Sequence, residues 1–159
     1  MQKITTFLWF DDNAEEAINF YTKVFKNSKI LNVTRMNGVE GAGPGDKVVV
    51  GSFELEGQEF MALNGGPMFK FTEAISLMIH CDSQEEVDYY WNSLTADGGE
   101  ESMCGWLKDK FGLSWQITPV QLMQAIGGPD PDGSRRAMEA MMQMQKIDIA
   151  TIQRAYDGK

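Results

Sequence analysis

Apolar residues recur along the chain with two alternating periods, and this alternation occurs twice. Between residues 14 and 25 they recur every three or four positions, which predicts a helix with one buried stripe. A stripe of the same spacing covers residues 87–94. A strand-like run lies directly before each helix, at residues 4–10 and 75–81. A shift of 70 residues superposes an Asp and two Glu of the two copies.

Both predicted helices carry a capping signal at their amino ends. In the first copy Asn13 is followed three residues later by Glu16, and in the second copy Ser83 is followed by Glu86. In such a pair the first side chain accepts a hydrogen bond from a backbone amide of the first turn. Both pairs therefore predict capping boxes.

Three β-like runs follow each helix. In the first copy they cover residues 30–36, 48–55 and 58–63, and in the second copy residues 101–104, 106–108 and 113–118. Glu56-Gly57 is typical of a tight hairpin turn. The order βαβββ thus occurs twice and predicts an α+β fold, with a first unit at residues 1–66 and a second at 67–118.

The last part of the chain, residues 119–159, predicts a helical tail. Pro119 suits the first turn of a helix that ends before Gly127, Ser134 is the predicted cap of a second helix to about residue 146, and Asp148 that of a third. We expect this tail to pack on the two units or on a dimer partner, within one compact domain.

Composition excludes several classes of partner. The 159 residues carry a formal net charge of −9, which repels nucleic-acid backbones and anionic lipids. No run approaches 18 apolar residues, and the chain starts without an apolar signal core. We expect a soluble cytoplasmic protein without nucleic-acid or membrane partners. Cys81 and Cys104 match no paired metal spacing and are expected to be reduced.

Two segments, residues 13–21 and 104–117, resemble the vicinal oxygen chelate (glyoxalase, bleomycin resistance and dioxygenase) superfamily. Within it the chain resembles the PhnB-like branch, labelled 3-demethylubiquinone-9 3-methyltransferase domain. The resemblance covers residues 1 to about 120 and the tail. It implies curved mixed sheets of two βαβββ units around a cavity, usually in a homodimer.

The resemblance also implies where a metal would be held. Glyoxalase I, fosfomycin-resistance transferases and extradiol dioxygenases hold a divalent ion, which polarises two neighbouring substrate oxygens. Its ligands are His on the opening strand of each unit and Glu on the closing strands. In this chain the opening-strand positions fall at Thr5 or Thr6 and at Ile75 or Ser76.

The closing strands depart from that ligand set as well. Gln116 occupies the Glu position of the second unit, and the first unit offers Glu59 and Asn64. His, Cys and carboxylate groups hold such ions, and here at most one position is anionic. We therefore predict no metal and no other cofactor, with a divalent metal as the alternative.

Strand alternation predicts the lining of the implied cavity. Thr5, Phe7 and Trp9 share one face, and Ser114 and Gln116 share a face with Thr118. Aromatic, amide and hydroxyl groups suit an uncharged or weakly polar organic ligand. A cavity filled by the protein's own side chains is the alternative. The predicted ligand-binding residues are Thr5, Phe7, Trp9, Asn64, Ser114 and Gln116.

Two other side chains are chemical candidates. His80 is the only histidine, and alternation places it on the face opposite Ile75, the ligand position we favour. A structural or exposed role is therefore favoured for His80. Cys104 lies in the most family-specific segment, yet no basic neighbour is evident, so a buried, inert thiol is favoured. No catalytic residue is assigned.

The glycine-rich residues 38–45 test the methyltransferase label. Nucleotide-binding glycine turns connect a strand to a helix, whereas a strand follows here, which indicates a loop at the cavity mouth. The sequence thus favours a metal-free, homodimeric small-molecule binding protein. The alternatives are a divergent metal-dependent lyase or transferase of the superfamily, the labelled methyltransferase, or a dimerisation module without a cavity.

Overall fold

The computed structural model of the chain describes residues 2–35 and 48–159. The fold consists of two compact units, Met1–Phe71 and Thr72–Lys159. Each unit contains one four-stranded mixed sheet and one βαβββ repeat, which confirms the predicted α+β class. No helix among the described residues is both long and apolar enough to cross a membrane.

The first unit follows the predicted order closely. Its sheet has the order β1-β4-β3-β2, with β1 parallel to β4 and the other neighbours antiparallel. The strand predicted from residue 4 begins at residue 6, and the carboxyl end predicted for β2, Met36, lies outside the described residues. The elements are β1 (Thr6–Phe10), α1 (Ala14–Val24), β2 (Ser28–Arg35), β3 (Val48–Leu55) and β4 (Gln58–Asn64).

Helix α1 covers one face of this sheet. Its Tyr21 stacks on Phe53 of β3, with ring centroids 6.2 Å apart, and Phe53 stacks on Phe60 of β4 at 5.6 Å. Leu8 and Phe10 of β1 are buried on the same side. Because strand side chains alternate, the residues between them point to the face opposite α1.

The amino end of α1 is capped by a residue distant in sequence. The predicted capping box at Asn13 is wrong: Asn13 has a backbone outside the extended region (φ −119°, ψ 27°) and makes no side-chain cap. Instead, the Asn64 Oδ1 accepts a hydrogen bond from the Ala14 amide at 2.8 Å. Asn64 is the last residue of β4 and pairs with Phe10, so its side chain lies beside the start of the helix.

The second unit contains the second repeat and the tail. Its sheet has the order β5-β8-β7-β6, with β5 parallel to β8. At the start of α2 the predicted cap is confirmed, since the Ser83 hydroxyl accepts from the Glu86 amide at 3.2 Å. The elements are β5 (Ser76–Cys81), α2 (Gln84–Thr95), β6 (Glu100–Glu101), β7 (Trp106–Lys108), β8 (Ser114–Pro119), α3 (Val120–Ile126), α4 (Pro131–Met141) and α5 (Ile149–Asp157).

A buried carboxylate fixes the hairpin between β7 and β8. Asp109, only 2% exposed, accepts hydrogen bonds from the Phe111 and Leu113 amides at 2.9 and 3.1 Å and from the Trp115 indole at 2.9 Å. Its amide donates to the Leu113 carbonyl at 2.9 Å, which leaves a three-residue loop. This register pairs Lys108 with Ser114.

The three tail helices belong to the second unit. The Cys104 and Gly105 amides donate to the carbonyls of Met144 and Gln145 at 2.7 and 2.8 Å, and the Gln84 side chain donates to the Ile147 carbonyl at 3.0 Å. Gly105 has a φ of +82°, and a Cβ there would lie 3.0 Å from the Ile117 carbonyl oxygen. These bonds hold the connection between α4 and α5 against the loop before β7.

Two tail caps were predicted, and one is correct. Asp148 caps α5 by accepting from the Thr151 amide at 3.0 Å. Ser134 does not cap α4: Asp130 does so, with Pro131 in the first turn. The Ser134 hydroxyl instead donates to the Ala125 carbonyl of α3 at 2.9 Å. The earlier start follows from Pro131, whose fixed φ suits the first helical position.

The Asn64 cap is tested by Asn64→Ala. Removal of a buried acceptor from a helix amino end is expected to lower the free energy of unfolding by about 1–2 kcal/mol. Urea denaturation measures this change. Asn92→Ala, at an exposed position of α2, is the matched control and is expected to leave the urea midpoint nearly unchanged. Equal midpoints for both variants would show that the bond to Ala14 does not stabilise α1.

Candidate functional site

The candidate site lies on the face of the second sheet opposite α2, where most of its polar and charged side chains are found. Leu107, Trp115 and Ile117 point toward α2 and are buried, so the neighbours of these residues point the other way. The strand register places them side by side. The face opposite α2 comprises Ser76, Met78, His80, Glu100, Trp106, Lys108, Ser114, Gln116 and Thr118.

Gln116 lies at the centre of this face. It pairs with Met78 of β5 on one side and with Trp106 of β7 on the other. Its Nε2 donates a hydrogen bond to the Ser76 hydroxyl at 2.8 Å. Ser76, rather than the favoured Ile75, is thus the opening-strand neighbour of Gln116, because Ile75 precedes β5 and is 71% exposed.

A cavity of about 270 Å³ lies beside β6, β7 and the start of β8. Trp106 lines it and pairs with Gln116, so the central glutamine is the cross-strand neighbour of a wall residue without being part of the wall. Besides Trp106, its wall includes Glu73, Glu100, Lys108 and Ser114. The volume is near the lower end of the roughly 300–1,000 Å³ usual for small-molecule pockets.

Charged groups concentrate at this cavity. Lys108 forms an ion pair with Glu73, whose hydrogen bond raises the pKa of Lys108 and lowers the pKa of Glu73. Glu100 pairs with Lys108 across the β6–β7 ladder and adds a smaller upward contribution to the pKa of Lys108. A third carboxylate, Glu101, accepts from the Trp91 indole at 2.6 Å. Glu101 pairs with Leu107 and therefore points toward α2, so two carboxylates, Glu73 and Glu100, meet the single ammonium group of Lys108 in the wall.

Ser114 is the one wall residue with an unsatisfied polar atom. It is 1% exposed, and its hydroxyl has no hydrogen-bond partner among the described residues. A buried hydroxyl without a partner costs roughly 1–3 kcal/mol. A ligand in the cavity that bonds to Ser114 would recover part of that cost.

The predicted first-unit residues do not form one group. Phe7 and Trp9 share the face opposite α1, where Phe7 is 49% exposed. The Trp9 indole donates to the Gly66 carbonyl at 2.9 Å and lies so close to Gly65 that a Cβ there would be 2.4 Å away. Thr5 precedes β1, and Asn64 lies on the opposite face under α1. The ligand-binding role of these four residues stays a prediction.

Sequence reasoning placed Ser114 and Gln116 on one face but missed the charged wall. The predicted runs, residues 106–108 and 113–118, leave a four-residue connection between them, whereas in the structure Asp109 bonds to Leu113 and the loop has three residues. A shift of one residue reverses the facing of a strand, so Lys108 and Trp106 were not identified. The register of β5 also decides the facing of His80. His80 lies on the same face as Ser76, about 13 Å further along the strand, and is exposed.

The groups at the implied metal positions do not fit a divalent transition metal. Thr6, Ser76 and Gln116 offer neutral oxygen and amide groups. Within residues 2–35 and 48–159, no three His, Cys, Asp or Glu side chains are grouped to hold a metal ion. Glu59 bonds to the Gln2 side chain through its backbone: its amide donates to Gln2 Oε1 at 3.0 Å, and its carbonyl accepts from Gln2 Nε2 at 2.9 Å.

Both cysteines are free thiols. Burial, together with the nearby Glu86 and Asp82 carboxylates, raises the pKa of Cys81 to about 12. Cys104 is half-buried and has a left-handed backbone (φ 61°), at the point where the tail is bonded to the loop before β7. The contact with the tail is made by the Cys104 backbone amide, and the inert role of its thiol stays a prediction.

Two βαβββ units with one-sided helices and an open second face define the glyoxalase fold of the vicinal oxygen chelate superfamily. Within it, the chain belongs to the PhnB-like family described as 3-demethylubiquinone-9 3-methyltransferase, whose model matches residues 2–118.

Solved structures agree with this assignment. A PhnB protein from Bacillus cereus, which carries the same methyltransferase description, is 41% identical; the match covers 74% of this chain and 99% of that one, with a TM-score of 0.68. Protein PA1353 from Pseudomonas aeruginosa (20% identity, 75% and 98% coverage, TM-score 0.61) shares the fold. So does the fosfomycin resistance protein FosX from Listeria monocytogenes (18%, 75% and 93%, 0.51). No curated protein matches the chain.

Alkylation tests the state of Cys81. With a pKa of about 12, only about one Cys81 thiol in ten thousand is ionised at pH 8. In Cys104→Ser, iodoacetamide labelling of the folded protein is therefore expected to be at least tenfold slower than in urea, because the thiolate is the nucleophile. Mass spectrometry measures both rates. Equal rates would contradict the burial of Cys81.

Proposed function

We propose that the protein binds a small organic molecule without a metal, in the cavity beside Gln116. The observation that carries this proposal is the hydrogen bond from Gln116 to Ser76. These are the two positions to which the family resemblance assigns metal ligands in this unit. Their polar atoms are neutral and bonded to each other.

The cavity itself supports binding. It combines an aromatic wall at Trp106 with a few polar groups, which is the usual composition of a small-molecule pocket. The unsatisfied hydroxyl of Ser114 supplies a directional contact for an incoming ligand. No residue of the wall has an arrangement typical of a nucleophile with an adjacent general base.

The enzymatic alternatives are a divergent metal-dependent lyase or transferase and the methyltransferase for which the family is named. The glycine-rich residues 38–45, which bear on the second, lie outside the described residues. We favour binding because no three His, Cys, Asp or Glu side chains of the described residues are grouped to hold a metal ion. A homodimer in the cytoplasm completes the proposal, and light scattering of the purified protein tests the dimer.

Calorimetry tests the metal independence. Wild-type protein titrated with Zn²⁺, Ni²⁺ and Mn²⁺ is expected to show no tight site. The double variant Ser76→His, Gln116→Glu introduces one imidazole and one carboxylate at neighbouring positions, so it is expected to bind Zn²⁺ at least about tenfold more tightly than wild type. Thr22→His, Thr34→Glu in the first unit, on separate elements, controls for added charge.

A stoichiometric, tight wild-type metal site that Gln116→Ala removes would overturn the proposal. Transfer of a labelled methyl group from S-adenosylmethionine to any quinol would do the same.

Ligand-observed NMR with a fragment library tests the binding itself. Hits are expected to lose at least about fivefold in affinity in Trp106→Leu, since this change removes the aromatic wall. Tyr89→Leu, an exposed aromatic of α2 outside the cavity, is the control and is expected to keep them. Hits that are unaffected by Trp106→Leu would place binding elsewhere.

A further inference from the structure

Resting on the proposed function, we infer that the cavity selects a small organic cation, of the primary ammonium class, that sits on Trp106 and bonds to Glu100 and Ser114. The sequence alone predicts a neutral or weakly polar ligand, because the lining residues that it identifies are aromatic, amide and hydroxyl side chains without charge. The structure adds the charged side chains of β6, of β7 and of the segment before β5. Their arrangement decides the sign of the ligand's charge.

The charge balance of the wall excludes an anion. The only ammonium group, Lys108, is already paired with Glu73 and has Glu100 across the ladder. A carboxylate or phosphate ligand would have to displace Glu73 and would still meet the charge of Glu100, which lies beside Lys108 on the same face. A cation meets an excess of negative charge without breaking the Glu73–Lys108 pair.

Glu100 is the carboxylate that remains for a ligand. Glu73 is engaged by Lys108, and Glu101 by the Trp91 indole at 2.6 Å. Glu100 is exposed and pairs with Lys108 only through the strand register, so its oxygens are accessible at the rim of the cavity. An ammonium group donates up to three hydrogen bonds, and a carboxylate is its strongest acceptor.

Two further groups fit the same ligand. Trp106 lines the cavity, and the indole face is the aromatic surface that attracts cations most strongly. The Ser114 hydroxyl is buried and has no partner among the described residues, and it lies on the same face because Ser114 pairs with Lys108. It can accept from an ammonium group. The unsatisfied hydroxyl is independent of the charges and favours a ligand in the same cavity.

Three probes of nearly equal size distinguish the ligand classes: benzylammonium, benzyl alcohol and benzoate. Calorimetric titration of the purified full chain at low salt measures the three affinities. Benzylammonium is expected to bind at least about tenfold more tightly than benzyl alcohol, and benzoate is expected to bind most weakly. Raising the salt concentration is expected to weaken only the cation, because partly exposed charges are screened.

Variants assign the contacts. Glu100→Gln keeps the side-chain shape and is expected to weaken benzylammonium by roughly fivefold to tenfold, the range of one charge-assisted hydrogen bond, while benzyl alcohol stays unchanged. Glu139→Gln, an exposed glutamate of α4, is the matched control. Ser114→Ala is expected to weaken benzylammonium by a few fold, and circular dichroism verifies that every variant is folded.

Benzyl alcohol or benzoate bound as tightly as benzylammonium would overturn the cation inference, and so would a Glu100→Gln variant without effect. If binding of that neutral or anionic probe is still lost in Trp106→Leu, the proposed function stands. Binding of none of the probes would overturn the cation inference, and the fragment library would then decide on the proposed function independently.

Discussion

Within residues 2–35 and 48–159, each sheet carries the helix of its βαβββ repeat on one face, and the rest of the structure depends on that constraint. Side chains of a strand alternate between faces, so burial of Phe53 and Phe60 under α1, and of Trp115 and Ile117 under α2, leaves the intervening residues on the second face. The apolar residues toward the helix supply most of the stabilising burial. Residues on the second face are therefore free to vary with the ligand that is bound. Gln116, Trp106 and Lys108 all lie on that face of the second sheet.

The repeat and most element bounds were predictable, because hydrophobic periodicity is a local property of sequence. The helix stripe ending at Val24, the hairpin at Glu56-Gly57 and the Ser83 cap all depend on neighbours within a few residues. The Asn64 cap was not predictable, because it joins residues 50 positions apart whose proximity depends on the parallel pairing of β1 with β4. The predicted Ser134 cap was wrong for a local reason, because Pro131 starts the helix earlier in the chain.

Within the candidate site, the sequence indicated Gln116 and Ser114 but not the wall around them. The wall depends on strand register, which the buried Asp109 carboxylate fixes through three hydrogen bonds. One residue of register decides whether Lys108 faces the cavity or α2. Glu73 lies before β5 and reaches the cavity only through its pair with Lys108, a contact between residues 35 positions apart. The charge of the cavity wall therefore depends on contacts between residues that are distant in sequence.

The helical tail lies beyond the part of the chain that matches the family, residues 2–118. It nevertheless holds the loop before β7 through the Cys104 and Gly105 amides, immediately before Trp106. Substitutions in the tail can thus shift Trp106 through the loop before β7, without any change in the residues that line the cavity. Such an appendage gives natural selection a way to retune specificity while the shared scaffold stays intact.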